Sequence, residues 1–217
     1  MQLLSINIGQ ARTQINGKKL ETTGIYKVPA SGAVQITARG IEGDFIGDQK
    51  SHGGPDQAIY VYGQTDYQWW ERAQGATFAP GTFGENLTIS DLESAQLRIG
   101  DRLRLGGAVL EITSPRTPCS TLATRMAIPE FVKQYRRAER PGVYCRVIEA
   151  GTVQAGDEVL LVPRNTEAVL VMDLFREHYR RDKDEEELRR MLRAPISIRA
   201  RAAMEASLQK LLAGGQT

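Results

Sequence analysis

The residues with the clearest chemical potential surround one of the chain's two cysteines. Cys119 ends the stretch Pro115-Arg116-Thr117-Pro118-Cys119, in which two prolines hold the backbone away from a helical conformation. Arg116 would favour the thiolate, the form of cysteine that acts as a nucleophile or a metal ligand. No second cysteine lies close in sequence, which argues against a structural zinc site. A small buried structural cysteine is the alternative interpretation.

A second polar stretch, residues 39–57, is rich in glycine and suited to an anion. Glycines let backbone amides approach phosphate oxygens, and a lysine supplies positive charge. The stretch does not match the P-loop spacing, so a nucleoside triphosphate is not indicated. A turn-rich loop with a structural histidine is the alternative. The residues that would cradle the anion are Lys50, Ser51, His52, Gly53 and Gly54.

A third stretch, residues 81–88, combines small, amide and carboxylate side chains that could bond a polar heterocycle. A plain loop between strands is the alternative here. The second cysteine, Cys145, lies in an alternating pattern typical of a strand, so we interpret it as a structural core residue.

Composition restricts the possible partners of the chain. The 28 basic and 26 acidic residues give a net charge of +2, which provides no global field for nucleic acid or an anionic membrane. No apolar run approaches the roughly 20 residues of a membrane helix, and the N-terminus does not resemble a signal peptide. Two cysteines allow at most one disulfide. We therefore expect a cytoplasmic, reduced protein.

The elements that must position these residues are mainly strands over residues 1–163. Alternating or continuous apolar runs predict strands at 3–8, 33–38, 58–62, 97–105, 109–113, 143–148 and 158–162. Gly106-Gly107 predicts a hairpin between the fourth and fifth of them, and four Gly-Asp pairs predict turns. Helices are expected at 65–73 and 127–137. Many short strands of this kind indicate a barrel or a sandwich.

Residues 164–217 have a different composition and predict a small three-helix domain. The first helix would be capped by Asn165 or Thr166 and run to about residue 180, and the second would span 184–193. Pro195 ends the second helix, and Ser197 would cap a third that runs to about residue 212. This tail could be a dimerisation surface, a site for a partner or a lid.

Taken together and in order, these segments resemble the MOSC domain, and more closely its bacterial YiiM-type branch. The resemblance covers roughly residues 1–163, and a three-helix unit of similar length follows the barrel in that branch. The motifs that carry it are Gly43-Asp44, Lys50-Ser51-His52-Gly53-Gly54-Pro55-Asp56-Gln57-Ala58, Gly81-Thr82-Phe83-Gly84-Glu85-Asn86-Leu87, Ile99-Gly100-Asp101 and Pro115-Arg116-Thr117-Pro118-Cys119.

The resemblance implies a MOSC-type β-barrel that binds the molybdenum cofactor, with Cys119 as the protein ligand to the metal. Related enzymes reduce N-hydroxylated substrates, such as N-hydroxylated purine bases and amidoximes, with electrons from a separate flavin-containing or haem-containing protein. A thiolate is a soft ligand suited to a redox metal. Either Glu85 or His52 would relay protons. A homodimer is compatible with the sequence.

The same resemblance implies a role for each loop. The cofactor phosphate and pterin would be held by Arg39, Lys50, Ser51, His52, Gly53 and Gly54. The cleft nearer the pterin would be lined by Thr82, Gly84, Glu85 and Asn86, and Arg116 and Thr117 would flank the metal ligand. Two other functions remain open, a sulfur carrier with a persulfide on Cys119 and a cofactor-binding module without catalysis.

Overall fold

The computed structural model describes residues 1–49, 52–164 and 169–214. Strands dominate the chain up to residue 162. In the described residues they are β1 (Leu3–Gly9), β2 (Arg12–Asn16), β3 (Lys19–Thr23), β4 (Lys27–Pro29), β5 (Val34–Thr37), β6 (Gly40–Ile41), β7 (Ile59–Gly63), β8 (Leu87–Ile89), β9 (Arg102–Leu105), β10 (Ala108–Pro115), β11 (Val143–Glu149), β12 (Gly151–Val153) and β13 (Val159–Val162).

Eight of these strands form one sheet in the order β13-β9-β10-β11-β7-β8-β1-β4. Its centre, β7, is apolar or aromatic and buried along its whole length, as the continuous apolar run predicts. Smaller sheets join β12, β5 and β6, and β2 with β3. An antiparallel bridge between Gln2 and Glu158, with backbone hydrogen bonds from Leu3 to Asp157 and from Val159 to Met1, brings the start of β1 to the edge strand β13. The sheet therefore curls strongly, and a closed barrel stays a prediction.

The Gly106-Gly107 hairpin is confirmed, because β9 and β10 pair with Leu105 opposite Ala108. Gly106 has a φ of +50°, which glycine adopts readily. The strand predicted at 97–105 is shorter than expected and begins at Arg102. Ile99 and Gly100 instead donate backbone hydrogen bonds to Val169 and Ile112, which turns this part of the chain away from a regular ladder.

Six helices lie in the described residues: α1 (Gln64–Gln74), α2 (Ser120–Met126), α3 (Phe131–Ala138), α4 (Val171–Tyr179), α5 (Glu185–Arg193) and α6 (Ile198–Gly214). The helix predicted at 127–137 is wrong at its start. Ala127 ends α2 in the left-handed conformation, and Pro129 restricts the residue before it, so a new helix begins only at Phe131. The other helix between strands, α1, is confirmed.

The C-terminal helices pack on the sheet. Val171, Leu174, Leu188 and Met191 are buried in the same core cluster as the strands. The predicted second and third helices are confirmed, and Asp184 caps α5 by accepting from the Glu187 amide at 2.9 Å. The first helix, α4, begins at Val171 with Leu170 as its N-cap, later than predicted, and the predicted caps Asn165 and Thr166 lie outside the described residues. A domain boundary at residue 163 stays a prediction.

Within residues 1–49, 52–164 and 169–214, no helix has the length and apolar character needed to cross a membrane.

Candidate cofactor-binding site

A cavity of about 300 Å³ opens where three loops meet the hairpin formed by β2 and β3. It is lined by the residues after β3, the loops at 44–48 and 52–57, and the chain leading into α2. Six of the residues proposed from sequence contribute to its wall: His52, Gly53, Gly84, Asn86, Arg116 and Cys119. Segments far apart in the chain therefore converge on one cleft, as the sequence predicts.

Cys119 sits at the N-cap of α2, in the extended conformation that is usual for an N-cap residue. Burial alone would raise its pKa. A hydrogen bond with His52, the positive charge of Arg116 and the amide of Leu122 outweigh burial and lower the pKa of Cys119 to about 6. The thiolate therefore predominates at neutral pH, which makes Cys119 a nucleophile or a metal ligand. Both cysteines are free thiols.

His52 is held on its other side by Tyr144, whose hydroxyl lies 3.1 Å from His52 Nδ1. Tyr144 is buried near the start of β11, next to Tyr60 on β7, with ring centroids 5.1 Å apart. Rigid strands thus fix the ring of His52, because they fix the tyrosine to which it bonds.

Arg116 is buried, with only 4% of its surface exposed. Its guanidinium stacks 4.9 Å over the Tyr60 ring, and its Nη1 donates to the carbonyl of Phe83. Its Nε is buried and has no hydrogen-bond partner among the described residues, which costs about 1–3 kcal/mol. Arg116 also lines the cavity, to which it contributes a positive charge.

Gly84 makes room for this guanidinium. Its φ is +77°, and a Cβ placed there would lie 2.9 Å from Ile25 Cγ1 and 3.1 Å from Arg116 Nη1. Only glycine satisfies both the backbone conformation and the space. The loop at 81–88 therefore approaches the arginine as closely as its backbone allows.

The base of the cavity contains a buried ion pair between Lys27 and Asp44. Asp44 also accepts from the Gly9 amide at 2.8 Å and from Asn86 Nδ2 at 2.9 Å. Burial lowers the pKa of Lys27, and the charge and hydrogen bond of Asp44 oppose this shift. The network ties the loops at 44–48 and 81–88 to β1 and β4, because its members come from different parts of the chain.

The β2–β3 hairpin forms the remaining wall and is tied to the helix that follows Cys119. Asn16 Nδ2 donates to Ser120 Oγ at 2.7 Å, and Thr121 Oγ1 donates to Glu21 Oε1 at 2.9 Å. At its base, a Cβ on Gly24 would fall 1.8 Å from the Phe45 carbonyl. The hairpin therefore packs directly on the loop at 44–48 and covers one side of Cys119.

Comparison with known proteins agrees with this arrangement. The MOSC domain model matches residues 48–160. YflK of Bacillus subtilis (strain 168) is 36% identical over 97% of this chain and 96% of its own length, so the match includes the C-terminal helices. This chain belongs to the MOSC domain family.

Two further relatives refine the placement. The crystal structure of YiiM from Geobacillus stearothermophilus superposes with a TM-score of 0.79 and 27% identity, covering 95% of this chain and 98% of that one. A protein named "Reductase" from Gibberella moniliformis (strain M3125 / FGSC 7600) is 32% identical over 75% of this chain. The chain spans 29% of that reductase. The resemblance to a YiiM-type MOSC protein is thus confirmed.

Other residues of this MOSC chain proposed from sequence do not line the cavity. Glu85 is fully buried and accepts from Tyr67 Oη at 2.7 Å, Gly81 N at 2.6 Å and Thr88 Oγ1 at 2.9 Å. Burial raises the pKa of Glu85. Its contacts make it the internal anchor of the loop at 81–88, and its position does not favour a proton relay at the cavity.

Four more proposed residues lie apart from the cavity lining. Arg39 is exposed at the turn between β5 and β6, where its amide donates to Thr37 Oγ1 at 3.2 Å. Gly54 faces a separate, smaller cavity beside α6. Thr82 accepts through its carbonyl from Arg125 Nε at 2.6 Å, and Thr117 is half-buried. Lys50 and Ser51 lie outside the described residues.

Sequence reasoning missed several residues that complete the wall. Lys27 lies in a three-residue strand with no motif around it, and Asp44 reads as part of a turn. Tyr60 and Tyr144 read as core residues of strands. Glu21 lies in a hairpin whose strands are largely exposed, so no apolar alternation marks them. The usable sequence signal was the Asn16-Gly17 pair, which is typical of a hairpin turn. In the structure Gly17 has a φ of +62°.

Proposed function

We propose that this MOSC protein is a molybdenum-cofactor-dependent reductase of N-hydroxylated compounds, with Cys119 as the protein ligand to molybdenum. The observation that carries the proposal is the pairing of a thiolate-favouring Cys119 with a buried Arg116 in one cavity. A soft anionic sulfur and a cation suit a redox metal held by an anionic organic group.

The residues present fit such a group. Cys119 would bind the metal, and Arg116, His52 and the backbone near Gly53 and Gly84 would hold the anionic and polar parts of the cofactor. The cavity of about 300 Å³ is at the lower end of the range for small-molecule sites. Arg116, which lines the cavity, would supply the positive charge for the anionic part of the cofactor.

When bound, the molybdenum cofactor supplies a metal centre able to take up an oxygen atom and exchange two electrons. Reduction of an N–OH group to N–H requires two electrons and two protons and releases water. A flavin-containing or haem-containing protein would provide the electrons. His52 and Tyr144 carry exchangeable protons at the cavity, hydrogen-bonded to each other, so they are placed to hold a proton there.

The relative named "Reductase" supports an oxidoreductase role. Because this chain spans 29% of that protein, the activity of the whole reductase extends to this chain only as part of the proposal. We also propose a separate electron-donor protein, a homodimer and a cytoplasmic location.

Activity is tested without the natural donor. Protein from cells that make the molybdenum cofactor is given reduced benzyl viologen and either N6-hydroxyadenine or benzamidoxime, and viologen oxidation and the amine or amidine product are measured. We expect substrate-dependent oxidation with matching product, lost in Cys119→Ala. Cys145→Ala removes the other thiol, which is buried in the core, and should keep the activity. Cofactor-loaded protein that turns over neither substrate would contradict the proposed reaction.

A second candidate is a sulfur carrier, favoured by the low pKa of Cys119, since a thiolate accepts sulfane sulfur as readily as it binds a metal. It predicts a persulfide on Cys119, visible as a mass increase of about 32 daltons removed by a reductant. It also predicts no viologen oxidation. Intact-mass measurement of protein purified without reductant separates the two candidates.

A further inference from the structure

The start of α6 faces Gln49 and residues 52–57, the described parts of the loop that carries His52 to the cavity. The Ser197 amide donates to the carbonyl of Thr113 on β10 at 3.1 Å, so the sheet fixes the position at which the helix begins. Ser197 is itself buried. The helix therefore presents its first turn to the loop from a fixed base.

Arg199, in that first turn, bridges the two ends of the loop. Its Nη2 donates to the carbonyl of Gln49 at 2.8 Å, and its Nη1 donates to Oε1 of Gln57. Gln57 also lines the cavity. The fork of one guanidinium thus connects the entry and the exit of the loop, with His52 between them.

Asp56 provides a second link between the same elements. One of its carboxylate oxygens accepts from the Ile198 amide at 2.8 Å, and the other lies 3.1 Å from Arg146 Nε. Its carbonyl accepts from Thr113 Oγ1 at 2.6 Å. The loop, the helix and β10 are thereby joined through one residue.

The loop's own backbone contributes hydrogen bonds from the His52 amide to the Asp48 carbonyl at 2.9 Å and from the Gln57 amide to the Gly54 carbonyl at 3.0 Å, and the links to α6 add to them. Gly53 and Gly54 both have positive φ, at +93° and +86°, and adjacent glycines lose more conformational entropy on ordering than other residues do. A cavity of about 160 Å³ separates the loop from the start of α6. Polar contacts across this gap connect the loop to the helix.

We propose that Arg199 is a positioning residue for the cofactor site: through Gln49 and Gln57 it holds the loop so that His52 stays beside Cys119. The C-terminal helices then serve the site directly, by supplying the fixed point from which this loop is held. The consequence of this positioning for turnover rests on the proposed function, whereas the positioning itself does not.

The first arm of the test measures amide hydrogen exchange of peptides covering residues 48–57 in protein from cells unable to make the cofactor. Arg199→Ala should speed exchange in these peptides by about tenfold, the effect of losing about 1.4 kcal/mol of local stability. Arg189→Ala removes the same charge from an exposed ion pair with Glu185 on α5 and should leave the loop unchanged. Unchanged exchange in Arg199→Ala would overturn the proposal.

The second arm measures the pH dependence of Cys119 alkylation by iodoacetamide, in the wild type, Arg199→Ala, His52→Ala and the double variant. Arg199→Ala should move the midpoint upward from about 6, as should His52→Ala. The effect of Arg199→Ala should vanish in the His52→Ala background, because it acts through that residue. A shift of the same size in both backgrounds would show that Arg199 does not act through His52 and would overturn the proposal.

Arg199→Lys is the second variant, in case Arg199→Ala fails to fold. It keeps the charge but loses the fork, so both effects should be present and smaller than in Arg199→Ala. Both arms use cofactor-free protein, so their outcome is independent of whether the loaded enzyme reduces N-hydroxylated compounds.

Discussion

Replacing Gly84 by alanine perturbs the cavity wall at its most crowded point. The new methyl group would meet Ile25 Cγ1 at 2.9 Å and Arg116 Nη1 at 3.1 Å, on a backbone with φ of +77°. Gly75 offers a matched control, since it ends α1 with φ of +62° and a methyl group added there would have nothing within 4 Å. The two substitutions share the backbone strain, and they differ in the crowding.

The expected losses follow from these two contributions. A left-handed conformation costs an L-residue about 1–2 kcal/mol, so Gly75→Ala should reduce the free energy of unfolding by about that amount. Overpacking a filled site adds about 1–3 kcal/mol, so Gly84→Ala should lose roughly 2–5 kcal/mol in total. The displaced guanidinium of Arg116 should also weaken cofactor retention, whereas Gly75→Ala should retain the cofactor.

Urea unfolding at neutral pH, followed by tryptophan fluorescence, measures the stability of both variants against the wild type. Equal m-values would show that the comparison concerns stability alone. If Gly84→Ala unfolds at the same urea concentration as Gly75→Ala, the close approach of the loop to Arg116 is not a constraint on the fold. The account of Gly84 would then be wrong.

Three further predictions address the groups around the cavity. Alkylation of Cys119 should have a pH midpoint of about 6, because its thiolate persists until the pH falls below that value. His52→Ala should move this midpoint upward, and an unmoved midpoint would refute the role of His52. Lys27→Met should lower the free energy of unfolding, measured in urea, by about 3–5 kcal/mol, because it leaves Asp44 buried without its partner. Adding Asp44→Asn to this variant should recover part of the lost stability. Glu85→Gln should keep most of the viologen-linked rate, because Glu85 lies outside the cavity wall; a loss of about tenfold or more in kcat would restore its role as a proton relay.

Much of the β framework could be predicted from local patterns. The continuous apolar run of β7 and the Gly106-Gly107 turn are short-range signals, and both occur as predicted. The helix expected at 127–137 failed because an amphipathic pattern continues across Ala127 and Pro129, although the backbone reverses there. The left-handed conformation of Ala127 has no sequence signal, whereas Pro129 disfavours a helical conformation at Ile128 and was the signal for the boundary.

The residues of the site also divide into those with a local sequence signal and those without one. Cys119, His52 and Gly84 stand out because their residue types are unusual for their setting, and they do converge on one cavity. Lys27 and Asp44 meet only through tertiary contacts, so neither has a local signal that names the other. Glu85 carried a functional expectation from the same motif as Asn86, yet both lie in the loop before β8, where only the amide lines the cavity and the carboxylate is buried in the interior.

The central claim is that Cys119 binds molybdenum as part of a cofactor held in this cavity. The most direct test is the molybdenum content per chain, by mass spectrometry, of protein from cells that make the molybdenum cofactor. Wild type, Cys119→Ala and Cys145→Ala are purified in parallel. We predict near-stoichiometric molybdenum in the wild type and in Cys145→Ala, and its loss in Cys119→Ala. Wild-type protein without molybdenum, or full occupancy in Cys119→Ala, would contradict the account.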